Sequence, residues 1–217
     1  MSDIFNEIDE EVRREKLQKL WDRYQNYIVG GAILLVLLVA GWRLYQWWEL
    51  KKAAEAGTAF NIAMTLSTEG KRADAEAAFA KIASAGTQAY RDLARLQAAA
   101  ELAQRDPKAA VEAFDTIAAD QRMPQPMRDL AAVRAGSLLV DSESYEKLRQ
   151  RFEPAAAPDR AYRNSARELL ALSAWRAGDA ASARKWAAAI MSDAEATPGM
   201  RQRIEMLLAL TAADAKS

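Results

Sequence analysis

Polar side chains, many of them arginines, recur along the second and larger part of the chain. Arginine presents a planar fork of N–H donors that binds carboxylates in a bidentate manner. The residue types therefore indicate recognition of acidic groups on a partner protein. The candidate binding residues are Asn61, Thr65, Arg91, Arg95, Gln97, Arg128, Arg134 and Arg167.

Reaction chemistry has little support in the sequence. The 217 residues include no His and no Cys, which excludes imidazole catalysis, thiol nucleophiles, disulfides and most zinc sites. Lys+Arg and Asp+Glu number 30 each, and this balance argues against nucleic-acid binding, which needs a basic field. We expect neither an enzyme nor a cofactor nor a metal site.

The composition predicts helices. Hydrophobic residues make up 51% of the chain but aromatic residues only 8%, and 48 residues are alanine. Alanine has the highest helix propensity and allows helices to approach closely. No period-2 alternation between turn signals is present, so we predict an all-α protein.

One apolar segment stands apart from the charged remainder. Residues 28–42 carry no charged or polar side chain, and aromatic residues extend this run to 25 residues from Tyr24 to Trp48, about 37 Å of helix. Aromatic residues at both ends are typical of membrane interfaces, so we predict a transmembrane helix over residues 27–48 that contacts the lipid bilayer. A buried core helix and a cleaved signal peptide are the alternatives.

The flanking charges predict the orientation. Five Lys or Arg residues precede the apolar run within residues 13–23, and three follow it, Arg43, Lys51 and Lys52. This bias places the N-terminus in the cytoplasm and residues 52–217 outside, which in a bacterial cell is the periplasm.

We predict a cytoplasmic helix over residues 1–26, because the apolar residues of the stretch 4–24 have helical spacing and this stretch contains no Gly or Pro. Their apolar residues form two clusters on nearly opposite faces. The first cluster is either a docking patch for a cytoplasmic partner or part of a solvated helix start. The second cluster is expected to lie at the membrane–water interface. The clusters are Ile4, Phe5, Ile8 and Val12, and Leu17, Leu20, Trp21 and Tyr24.

From residue 52 onward, glycines, prolines and turn residues delimit nine helices. Ala75, Phe79 and Ile82 recur 35 residues later as Ala110, Phe114 and Ile117. A helix-turn-helix period near 34 residues is the signature of tetratricopeptide repeats (TPR).

We therefore predict a TPR-like α-solenoid of about four helix pairs and a capping helix, Met200 to Ala213. That cap would turn Ile204, Leu207, Leu208 and Leu210 inward. A non-repetitive helical bundle is the alternative. In a solenoid the first helices line a concave face that binds peptide segments, and the candidate residues named above lie on those helices.

The opening SDIFNEIDEEVRREKLQKLWDRYQNYI, the single apolar span and the alanine-rich repeats together resemble a bacterial inner-membrane family. This family is the TPR-like ancillary SecYEG translocon subunit, in a form that looks alphaproteobacterial. The resemblance implies a single-pass protein with a periplasmic TPR domain. Its implied partners are Sec translocon subunits, periplasmic chaperones and client proteins.

The sequence thus favours a membrane-anchored interaction protein near the translocon exit. A TPR scaffold for envelope assembly or cell division is the second interpretation. An enzyme or enzyme-like regulator is the third, and the absence of site motifs argues against it.

Overall fold

The computed structural model describes the backbone of residues 2–214 and the side chains of residues 21, 23–27 and 29–211. Within residues 2–214 the chain forms helices and no strand, which confirms the all-α prediction. The elements are α1 (Ser2–Thr68), α2 (Arg72–Ala85), α3 (Gln88–Leu102), α4 (Pro107–Ala119), α5 (Gln125–Leu139), α6 (Tyr145–Phe152), a 3-10 helix η1 (Glu153–Ala156), α7 (Arg163–Arg176), α8 (Ala180–Met191) and α9 (Pro198–Asp214).

Helix α1 is uninterrupted for 67 residues. It contains residues 2–26 and 27–48, which belong to segments predicted as separate elements, and also the first helix of the repeat region. No proline occurs before Pro107, and single glycines lower helix propensity without ending a helix. The chain divides into two compact units, residues 1–54 and residues 55–217, which are described separately.

In the first unit the apolar side chains are exposed. Leu35, Leu37 and Leu38 are each more than 60% exposed, and so are Trp42 and Trp47. Among the described residues one helical stretch, Arg23–Thr68, is long and apolar enough by length and composition to cross a membrane. The predicted apolar faces of residues 4–20 lie outside the described side chains.

Cations lie over aromatic rings at both ends of the apolar run. The Lys52 Nζ is 3.5 Å from the Trp48 ring centroid, and Lys51 lies 5.6 Å from that of Trp47. At the other end, Arg23 lies 5.9 Å from the Tyr24 ring centroid. Such pairs place a charge beside an amphipathic ring, the arrangement expected where a helix meets lipid headgroups.

The second unit consists of helix pairs. Taken in chain order, the pairs are the end of α1 with α2, α3 with α4, α5 with α6 and η1, and α7 with α8, and α9 follows the last pair. Contacts are most extensive between α2 and α3, between α4 and α5, and between α7 and α8. The sequence-predicted breaks fall at or beside the turns between these helices. The described residues therefore contain the four pairs and the terminal helix expected of a TPR-like repeat domain.

The repeated apolar triplets form the core. Phe79 is fully buried with Ala75 and Ile82, and Phe114 is 2% exposed with Ala110 and Ile117 around it. Each phenylalanine centres its own cluster, joined by alanines of the neighbouring first helix. The packing therefore repeats with the predicted spacing of 35 residues.

The turns contain local stop and start signals. Gly70 and Gly178 have φ of 78° and 77°, the left-handed conformation that glycine adopts without steric cost at the end of a helix. Asp106 and Asp179 each accept a backbone N–H hydrogen bond at the start of α4 and α8. These caps satisfy helix-terminal donors and fix the pair geometry.

The terminal helix differs in one respect from the prediction. Ile204 and Leu207 are buried and Leu208 is half-buried, but Leu210 is 49% exposed, so its inward orientation was wrongly predicted. Leu210 lies four residues after Met206, and residues i and i+4 share one face of a helix. Because Met206 is 57% exposed, Leu210 lies on the same exposed face.

Candidate functional site

All eight candidate residues lie on the first helices of the pairs. Asn61 and Thr65 are on α1, Arg91, Arg95 and Gln97 on α3, Arg128 and Arg134 on α5, and Arg167 on α7. Their side chains occupy different environments. Most of the arginines belong to ion pairs or hydrogen-bond clusters within the domain, and these do not form one continuous surface.

On α1, Asn61 and Thr65 are exposed. The Thr65 hydroxyl donates to the Asn61 backbone carbonyl at 3.0 Å, which is the common i−4 bond of a helical threonine. The Asn61 side chain therefore remains the polar group of this turn that faces solvent.

Arg95 ties α3 to the end of α4. Its Nη1 donates to Asp120 Oδ2 at 2.7 Å, and Arg122 donates to the other oxygen. These donors lower the pKa of Asp120 to about 2, with Arg95 the largest cause. A polar cleft of about 490 Å³ opens beside this pair and is lined by Gln88, Arg91 and Asp92 as well.

The start of α5 carries a similar group of side chains. Arg128 donates to Gln125, and Gln125 donates to Asp129 Oδ1 at 2.7 Å. Asp129 is 6% exposed and its Oδ1 lies 3.7 Å from Arg160 Nη1. Arg128 therefore belongs to a cluster that holds α5 to the segment before α7.

Arg167 is not on an open surface, contrary to expectation. It is 8% exposed, and it donates to the Ala156 carbonyl, to Asn164 and to Asp193. Arg163 donates to both oxygens of Asp193 at 2.6 and 2.8 Å, and it is the main reason that the pKa of Asp193 lies far below its usual range. The two arginines stabilise the α7–α8 pair.

Sequence analysis missed the buried acidic and amide side chains that follow arginines near the start of the first helices. The first two turns of three successive first helices contain the dipeptides Arg91-Asp92, Arg128-Asp129 and Arg163-Asn164, and the second residue of each dipeptide is buried. The signal was present as the repeated Ala-Tyr-Arg of residues 89–91 and 161–163, followed in both cases by Ala and Arg at the same spacing.

Arg134 is different from the other arginines. It is exposed on α5, and among residues 21, 23–27 and 29–211 it has neither an ion pair nor a side-chain hydrogen bond. Gln97 on α3 is half-buried. Arg134 borders a groove of about 390 Å³ formed by residues of α3, α4, α5 and the start of α7. A guanidinium in this position has all its donors available to a ligand.

The first helices therefore offer two kinds of polar site. The clusters at their N-terminal ends are internally paired and stabilise the fold. The groove beside Arg134 combines a cation that has no ionic partner among the described side chains with an apolar floor, an arrangement suited to binding an acidic group next to apolar side chains.

Comparison with known proteins yields a family and no individual relative. No match was found among curated proteins or among solved structures. The family described as "Tetratricopeptide repeat-like domain" matches residues 18–210, which is most of the chain and includes every helix pair described above. The chain belongs to the tetratricopeptide repeat-like domain family.

Proposed function

We propose that the protein is a membrane-anchored interaction module that works beside the Sec translocon in a bacterial inner membrane. Its N-terminus would lie in the cytoplasm, residues 27–48 would span the bilayer, and the repeat domain of residues 52–217 would face the periplasm. There it would bind translocon subunits, periplasmic chaperones or newly exported client proteins.

One observation carries the proposal: a TPR-like domain continues directly from an exposed apolar helix on the same chain. TPR-like domains are usually non-catalytic and bind proteins through the surfaces of their stacked helices. An exposed row of Leu and Val, bounded at each end by aromatic rings beside cations, is costly in water and favourable in lipid.

Two sequence features support the location. The excess of Lys and Arg before the apolar run favours a cytoplasmic N-terminus. The stretch from Asp3 to Tyr27 resembles the translocon-associated family named above.

The mechanism that follows is local concentration. A binding domain tethered to the membrane meets a partner at the same membrane as a nearly intramolecular event, with an effective concentration on the order of millimolar for short flexible links. Weak individual contacts would then suffice to retain an emerging chain or a chaperone.

The test is affinity capture of the full-length tagged chain from membranes in nonionic detergent, followed by quantitative mass spectrometry. The matched control is an unrelated single-pass protein with the same tag and expression level. We expect enrichment of translocon subunits and periplasmic chaperones over the control. Enrichment of envelope-assembly or division proteins without either class would contradict the proposal and support the scaffold interpretation instead.

The orientation has a separate test. A reporter enzyme that is active only in the periplasm, fused after Ser217, should be active in intact cells. Activity of a cytoplasm-specific reporter at the same position would overturn the assigned topology.

A further inference from the structure

The groove beside Arg134 extends over three first helices and is also lined by Phe114 of α4. Ala100 comes from α3 and Gln104 from the turn that follows it, Leu130 and Leu138 come from α5, and Tyr162 immediately precedes α7. Its volume of about 390 Å³ is at the lower end of the range for sites that hold organic ligands. The site is therefore large enough for a few side chains and too small for a folded domain.

The groove has one sign of charge. Arg134 is the charged residue among its lining residues, and no carboxylate lines it. Because Arg134 makes no ion pair or side-chain hydrogen bond within residues 29–211, a ligand carboxylate would not have to displace an internal partner. Charge complementarity therefore selects an acidic ligand.

The face of α5 sets the pattern around that charge. Leu130 and Leu138 lie four residues before and after Arg134, so all three share one face of the helix, with Cβ atoms of neighbours about 5–6 Å apart. Both leucines are half-buried. An occupant that places a carboxylate on Arg134 thus meets an apolar side chain on each side of it.

An extended peptide matches this spacing. Side chains two residues apart on a strand point to the same side and are about 6.5–7 Å apart. The groove can therefore contact the alternate side chains of a short extended segment.

We propose that this groove binds an internal, extended segment of a partner protein with the pattern apolar-x-acidic-x-apolar. The proposal rests on the interaction function proposed above and specifies its ligand. An internal segment fits better than a chain terminus, because a terminal carboxylate on Arg134 would leave one of the two flanking leucines uncovered.

The binding test uses fluorescence anisotropy with labelled, C-terminally amidated ten-residue peptides and the full-length chain in nonionic detergent. The probe carries the core Leu-Ser-Glu-Ser-Leu between Gly-Ser spacers. Two matched peptides replace the glutamate with glutamine or both leucines with serine. We expect each replacement to weaken binding at least about tenfold, which corresponds to about 1.4 kcal/mol.

Protein variants locate the site. Arg134→Gln should weaken the probe about tenfold, whereas Arg184→Gln, which removes an exposed arginine from the second helix α8, should leave binding unchanged. Ser137→Trp fills the groove from an exposed position that lines it and should abolish binding, and Ala181→Trp on the exposed face of α8 is its control. Circular dichroism confirms that each variant is folded.

Two results would overturn the proposal: equal binding of the glutamate and glutamine peptides, or equal effects of Arg134→Gln and Arg184→Gln. Failure here is separable from failure of the proposed function. If the wild-type chain captures translocon subunits but not the probe, the groove assignment fails while the translocon role stands.

Discussion

Truncation of Phe114 tests the repeat packing most quantitatively. This side chain is 2% exposed and shares its cluster with Ala110, Ala131 and Ala135, each fully buried. Burial of a phenylalanine contributes about 1.5–3 kcal/mol through removal of apolar area from water. Alanines cannot extend into the space that the ring leaves, so a cavity cost is added, and Phe114→Ala should lower the free energy of unfolding by about 4–5 kcal/mol, the upper part of the usual range.

The assay is urea unfolding of the full-length chain in nonionic detergent, followed by far-UV circular dichroism. Phe79→Ala should cost a similar amount because Phe79 is fully buried at the equivalent position, and Met206→Ala, at a 57% exposed side chain, is the control with less than about 1 kcal/mol expected.

Phe79 and Phe114 occupy separate clusters. Because these clusters share no residue, the double variant should lower the free energy of unfolding by the sum of the two single losses within about 0.5 kcal/mol. A loss below about 1 kcal/mol for Phe114→Ala, or a double variant no less stable than either single one, would refute the repeat packing.

Three further outcomes are expected. Asp193→Asn should destabilise the chain at neutral pH, because the hydrogen bonds and charge of Arg163 lower the pKa of Asp193 below its ordinary 3.8. As the pH drops below about 4, the stability of the wild-type chain should fall and its difference from the variant should shrink. Melting temperatures measured across this pH range test this, and a difference independent of pH would contradict it. Gly178→Ala should cost about 1 kcal/mol in chemical unfolding, since φ is 77° there, and Gly178→Asn should cost less; equal costs would contradict the left-handed cap. Gly136→Ala should cost about 1–3 kcal/mol, because its Cβ would lie 2.9 Å from Leu169 and 3.1 Å from Phe152, and an unchanged melting temperature would show that this contact is not tight.

Much of the fold was predictable because local signals agree. Glycines, prolines and capping residues mark the turns, and the triplet around Phe79 recurs around Phe114. The first helices were predicted less accurately. The shift of 35 residues equates Ala63 with Ala98, but α3 buries Ala94 and Ala99 and leaves Ala98 half-buried, because alanine-rich sequence fits several helical registers equally well.

Sequence analysis placed the eight candidate residues on the first helices, but it did not show which of their side chains are paired within the domain. Whether an arginine is available depends on partners that lie far away in sequence. Arg95 is paired with Asp120 and Arg167 with Asp193, which are 25 and 26 residues away, whereas Arg134 has no such partner within residues 29–211. Periodicity places a residue on a helix face, but it does not show which carboxylate the next helix brings to it.

The central claim is that the first-helix groove of an anchored repeat domain holds envelope proteins. Site-specific photo-crosslinking in living cells tests it most directly, with the photoreactive residue placed at position 137 in the groove or at position 181 on α8. The account predicts crosslinks from position 137 to translocon subunits, periplasmic chaperones or exported clients, and few from position 181. Equal crosslinking from both positions, or crosslinks from position 137 to cytoplasmic proteins alone, would contradict it.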